Sequence, residues 1–88
     1  MNVEDVFSSK LRIRLLKLLA QIGELNVSEI ARRLNVNFET VNKHLAVLEN
    51  EGILKHKVFG RIRLYRFNEQ SPKTRAILSL IEIWEKTG

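Results

Sequence analysis

Between Val27 and Phe67 the chain spells two short amphipathic segments, a three-residue break and a basic alternating stretch: VSEIARRL, NVN, FETVNKHLAVLENEG and ILKHKVFGRIRLYRF. This order leaves few ways to bury the apolar residues. Asn26 followed three residues later by Glu29 reads as a capping-box-like helix start. Ile30, Ala31 and Leu34 fall on one helical face, and Ala31 is small where two helices must cross closely. Asn35 tolerates a left-handed backbone, and Asn37 can cap the next helix. That helix is expected from about Phe38 to Asn50, with Val41, Leu45 and Leu48 as its core stripe and Gly52 closing it.

Two short helices joined this tightly form the helix-turn-helix pattern, whose second helix enters the DNA major groove. The motif spans about residues 27–51, and a hairpin occupies 53–67. Its strands are expected at Ile53 to Val58 and Arg61 to Phe67, with Gly60 supplying the turn angle. Alternation in the second strand is imperfect, because Ile62 and Leu64 lie on the opposite parity to Tyr65 and Phe67. Either both faces are partly covered or a bulge switches the register. With Tyr65 and Phe67 inward, Arg61 and Arg63 share one side near the tip.

The flanks are helical too. Val3 to Phe7 is a short helix with Glu4 and Asp5 in its first turn, where the helix dipole favours acids. Ser8 or Ser9 caps a second helix, about Lys10 to Ile22, whose Leu11, Leu15, Leu18, Leu19 and Ile22 keep helical spacing and which Gly23 ends. Ser71-Pro72 starts a last helix over about 72–86. It carries Ile77, Leu78, Leu80, Ile81, Ile83 and Trp84, too many apolar residues for one small core. This helix either lies across its own domain or forms a subunit interface anchored on Trp84. The expected interface is Val3, Phe7, Ile77, Leu80, Ile81 and Trp84.

Composition narrows the function. Residues 1–88 make one domain, small enough that oligomerisation is a natural source of added stability. A net charge of +5 favours a polyanionic partner, and the hairpin's Lys55, Lys57, Arg61, Arg63 and Arg66 have no acid among them. With no cysteine, disulfides and thiol chemistry are excluded. No apolar run approaches the ~20 residues needed to span a bilayer, and the N-terminus lacks a signal-peptide layout. A cytoplasmic, nucleoid-associated protein without a membrane partner is expected. No nucleophile–base pair, phosphate loop or carboxylate cluster suggests an enzyme, and no cofactor is implied.

On the second helix of the motif, the face opposite the core stripe offers Asn37, Phe38, Glu39, Thr40, Asn42 and Lys43. Asn can bridge adenine N6 and N7, Glu can accept from cytosine N4, and Thr or Phe can touch a thymine methyl. Phe38 is either such a contact or a staple against neighbours such as Val36. Arg61 and Arg63 suit a narrow minor groove. Lys55, Lys57 and Arg32 suit phosphates, which give affinity and salt dependence. Arg66 also fits a charged edge strand that resists aggregation. Lys10, Arg12 and Arg14 fit either phosphate contacts or a solvated face. His44 and His56 sit on different elements without further ligands, and His44 is expected to pack toward the core.

The stretch LNVSEIARRLNVNFETVNKHLAVLENEGILKHKVFGRIRLYRFN resembles the winged helix-turn-helix regulators of the ArsR type, and the resemblance covers essentially the whole chain. Most telling are TVNKHLAVLENEGIL and the wing GRIRLYRFN. The resemblance implies a mainly α fold with a small β-hairpin (α+β), a C-terminal dimerisation helix, and a homodimer on near-palindromic double-stranded operator DNA. The alternatives are a chromatin-type DNA-binding protein of low specificity and a protein-interaction winged helix within a larger assembly. Family members that sense metal use cysteines in the helix before the turn. Asn26 and Ser28 of ELNVSEI stand at those positions, and the last helix has no histidine. No metal site carries over, and the sequence identifies no small-molecule effector.

Overall fold

The computed structural model describes residues 2–87. Its elements are α1 (Val3–Phe7), α2 (Lys10–Ile22), β1 (Glu24–Asn26), α3 (Val27–Leu34), α4 (Phe38–Asn50), β2 (Leu54–Phe59), β3 (Ile62–Phe67) and α5 (Pro72–Thr87). Helix boundaries obey the local chemistry. Ser9 accepts from the Arg12 amide at 3.2 Å, Asn26 from Glu29 at 2.8 Å and Asn37 from Thr40 at 2.8 Å, so each helix of the central bundle starts on a side-chain cap. Asn35 turns left-handed at φ 56°, and the Val36 amide reaches back to the Ala31 carbonyl at 3.0 Å. That reversal fixes the angle between α3 and α4.

Strand β1 was not expected from the sequence. It pairs antiparallel with β3 (Glu24↔Arg66, Leu25↔Tyr65, Asn26↔Leu64), giving a three-stranded sheet in the order β1-β3-β2. The β2–β3 hairpin runs in unbroken register from Leu54↔Phe67 to Phe59↔Ile62. The ambiguous alternation is therefore settled without a bulge: both faces are partly covered. Leu25, Leu54, Tyr65 and Phe67 share the inner face, and Leu64 on the outer face is half-buried. Gly60 opens the two-residue loop at φ 58°, a left-handed backbone that suits glycine.

One core holds the protomer together. Leu15, Leu16 and Leu19 of α2, Ile30 and Leu34 of α3, and Val41, Leu45 and Leu48 of α4 close around Ile53, Leu54, Tyr65 and Phe67. On α2 the buried stripe is Leu15, Leu16 and Leu19; Ile22 is exposed and Leu11 and Leu18 are only partly buried. Helix α5 crosses this core through Ile77, with Leu78 and Ile81 partly covered. Thr74, fully buried, ties it down by donating to the Ile53 carbonyl at 2.9 Å.

Most of α5 beyond Ile77 leaves the core. Leu80, Ile83 and Trp84 are exposed, and Val3 of α1 is exposed beside them. Val3, Val6, Phe7, Ile77 and Leu80 line an apolar groove of about 230 Å³ with Ile53 at its wall. Of the residues expected at a subunit interface, Val3, Leu80 and Trp84 are open to a partner. Phe7 and Ile81 are half-buried, and Ile77 is consumed by the protomer's own core, forming the groove floor. Ile83, which was not expected there, is exposed instead. No helix among the described residues is long and apolar enough to cross a membrane.

Candidate nucleic-acid interface

The interface is built from α4 and the hairpin. With Val41, Leu45 and Leu48 fully buried, Phe38, Glu39 and Lys43 necessarily project outward. Phe38 leaves nearly half of its surface open, while Val36 is partly buried against the core. Thr40 is half-buried, and Asn37 has its side-chain oxygen engaged in capping, which makes its contribution structural first.

A third stripe of α4 faces the wing. Asn42 and Glu49, seven residues apart, lie on one side of the helix. Asn42 Oδ1 accepts from Arg63 Nη2 at 2.7 Å, and Glu49 Oε2 lies 2.7 Å from His56 Nδ1. Arg63 also donates to the Tyr65 hydroxyl at 3.1 Å, and the His56 and Tyr65 rings lie 5.0 Å apart. Burial raises the Tyr65 phenol above its ordinary range, so it stays a neutral partner. This polar seam locks wing and helix together so that the tip stands beside the exposed face of α4.

The wing cations divide between the two faces of the sheet. Arg61 is exposed in the tip loop and Arg63 is turned inward to Asn42. Lys55, Lys57 and Arg66 lie on the outer face, away from α4, and Lys57 Nζ is 3.5 Å from Glu24. The hairpin tip also exposes Val58, Phe59 and Ile62, an apolar cap that the sequence pattern did not single out. Arg61 sits in its loop, and Lys57 Nζ is 5.2 Å from the Phe59 ring centroid.

The remaining basic residues have structural partners. Arg32 and Arg33 both bind Glu29, whose carboxyl is pulled down to about 2 by those two hydrogen bonds, Arg32 first. The pair is exposed, so it is weak and exchangeable, and Arg32 stays available to a phosphate. Glu29 therefore does not complete the capping box that its spacing suggested. Arg14 donates to the Leu34 carbonyl at 3.2 Å, closing the C-terminus of α3. Arg12 bridges the Asp5 carbonyl at 2.7 Å and His44 Nδ1 at 3.1 Å. Both arginines thus have partners within the protomer that the helix pattern alone did not show. The Arg12 bond requires a neutral imidazole at His44, and burial followed by the Arg12 charge holds that imidazole below its ordinary range. No group of three or more His, Cys, Asp or Glu able to hold a metal occurs among the described residues.

A crossed helix pair, an exposed second-helix face and a hairpin locked to it by side-chain bridges define the winged helix-turn-helix class. Residues 9–56 match the model of the bacterial regulatory protein arsR family. The chain belongs to that family. It is 37% identical over 71 residues to the arsenic resistance transcriptional regulator ArsR2 of Pseudomonas putida, covering 77% of this chain and 62% of the relative. It is 30% identical over 76 residues to a cadmium resistance transcriptional regulatory protein CadC homolog of Staphylococcus aureus, covering 83% and 63%. The chain thus spans less than two thirds of the length of both. The crystal structure of the antimony-specific transcriptional repressor AntR superposes with a TM-score of 0.77 at 26% identity, over 94% of this chain and 73% of that one. The homodimeric winged helix-turn-helix DNA-binding domain of a possible ArsR-family regulator from Mycobacterium bovis gives 0.76 at 25%, over 96% and 75%.

Proposed function

We propose that the protein is a sequence-specific transcription regulator that binds double-stranded DNA as a homodimer, placing two α4 helices in successive major grooves of a near-palindromic operator. One observation carries this reading: the outward face of α4 and the cationic wing tip stand side by side, locked by the Arg63–Asn42 bridge. Phe38, Glu39 and Lys43 meet base edges, Asn42 joins them from the wing side, and Arg61 reaches the flanking minor groove. Arg32 serves the phosphate backbone, with Lys55 and Lys57 adding longer-range attraction from the outer sheet face. The exposed apolar residues of α1 and α5 hold the two protomers, and the homodimeric state of the Mycobacterium bovis domain supports that arrangement. A cytoplasmic, nucleoid-bound location goes with the same reading.

The test is binding of the purified protein to random and to source-genome DNA fragments at physiological salt, followed by recovery of the bound sequences. A recurrent inverted repeat with half-sites about one helical turn apart is expected. Equal affinity for all duplexes would instead make it a low-specificity chromatin-type protein, and no DNA binding would leave only a protein-interaction module.

A further inference from the structure

We infer that Arg63 determines which base Asn42 reads, turning an asparagine that would otherwise pair with adenine into a donor that prefers guanine. This rests on the DNA-reading function proposed above.

Arginine carries only donors. The amide of Asn42 must therefore present its oxygen to Arg63, and chemistry fixes its orientation. The contact is 2.7 Å, short as expected for a charged donor on a neutral acceptor. Arg63 is itself held on the sheet side. It donates to the hydroxyl of Tyr65, which is buried, and its guanidinium carbon lies 5.7 Å from that ring's centroid. The bridge thus runs from the core, through Arg63, to the border of the base-reading face.

An asparagine reads adenine by using both ends of its amide: the oxygen accepts from N6 and the nitrogen donates to N7. Asn42 has its oxygen turned to the wing. What remains for a base is the amide N–H pair, beside the remaining N–H groups of the Arg63 fork. Guanine presents two acceptors in the major groove, N7 and O6, and no donor there. A donor-only unit with a positive charge matches that edge and mismatches the N6 donor of adenine. Arg63 is a positioning residue for Asn42 in this scheme, and the pair is the unit of recognition.

The experiment selects bound duplexes from a randomised pool, using the full chain as the unmutated protein, Asn42→Ala, Arg63→Ala and Arg63→Lys. Salt dependence of binding to the winning duplex is measured in parallel. Asn42→Ala identifies the base position concerned. There the unmutated protein should enrich guanine, and Arg63→Ala should shift the preference toward adenine by roughly fivefold or more, with a salt slope changed by less than about half a unit. Arg63→Lys keeps the charge but replaces the planar two-nitrogen fork that holds Asn42 and Tyr65 by a single point donor, so it should loosen Asn42 and shift the same position; it also covers the case in which Arg63→Ala does not fold. An unchanged base preference with a slope lowered by about one unit would make Arg63 a phosphate contact and overturn the inference. So would adenine enrichment by the unmutated protein at that position. A pool from which no protein enriches any sequence overturns the DNA reading itself, and this inference with it.

Discussion

Trp84→Asp is the sharpest perturbation of the proposed dimer, because the residue is 71% exposed in the protomer and its replacement leaves the core untouched. A tryptophan presents roughly 150–250 Å², so on the order of 150 Å² awaits a partner. At about 25 cal/mol per Å² that burial is worth about 4 kcal/mol. A two-fold interface repeats it, setting a ceiling of about 7–8 kcal/mol, of which side-chain ordering and imperfect desolvation leave about half. An aspartate adds the cost of burying a carboxylate. The dimer dissociation constant should therefore rise at least about a hundredfold. Sedimentation equilibrium over a micromolar series checks this, with circular dichroism confirming that the monomer stays folded. Operator binding should weaken with it, since each protomer retains one half-site. Should the unmutated protein sediment as a monomer at tens of micromolar, or the variant dimerise as the parent does, α5 is not the interface anchor.

The wing tip separates two kinds of affinity: Arg61→Ala should lower the salt slope of DNA binding by about one unit, whereas Phe59→Ala should weaken binding to every duplex without moving the slope. A slope that falls for Phe59→Ala would mean that the ring acts through Lys57, whose Nζ lies 5.2 Å from its centroid, rather than as an apolar contact. Stability should depend on His44. Its imidazole binds protons more weakly in the native state, so the stability it supports is complete above roughly pH 6.5 and lost as the pH falls through the lower native value. His44→Gln should flatten the drop in melting temperature between neutral pH and about pH 5, a window above the range where Glu29, held at about 2, responds; equal drops in both proteins would place the proton elsewhere. Zinc, cadmium or arsenite at concentrations near the protein's own should leave DNA affinity within about threefold, and a stoichiometric zinc site by calorimetry, coupled to release from DNA, would contradict this.

The helices were legible because their signals are local. Ser9, Asn26 and Asn37 each cap the helix directly after them, and Asn35 adopts the left-handed turn that its side chain tolerates. The core stripe of α4 emerges from spacing alone. Strand β1 was not legible, because Glu24–Asn26 has no pattern of its own and becomes a strand only through the edge that β3 offers. The functions of Arg12 and Arg14 were equally hidden. Their partners, His44 and the Leu34 carbonyl, are distant in sequence, and an arginine on a helix face looks the same whether it is solvated or bridging. Parity places Arg63 on the same face of the hairpin as Tyr65 and Phe67. That this side faces Asn42 depends on how the sheet packs against α4, which no local pattern encodes.

Asn26 shows how the family frame is held here without a cysteine. At a position where the family resemblance implies a thiolate, it closes the β1–β3 ladder opposite Leu64 and caps α3 through Oδ1. Both bonds are neutral and tie α3 to the sheet without a ligand. The attachments of α4 to the wing are different in kind. Arg63–Asn42 and His56–Glu49 are solvent-accessible polar bridges at the rim of a well-packed core, each worth about 1–3 kcal/mol at most. Base edges can meet the donors that the Arg63–Asn42 bridge leaves unused. The wing–α4 seam thus borders the proposed DNA-reading face, and the recognition scheme requires its Arg63–Asn42 bridge to stay closed there.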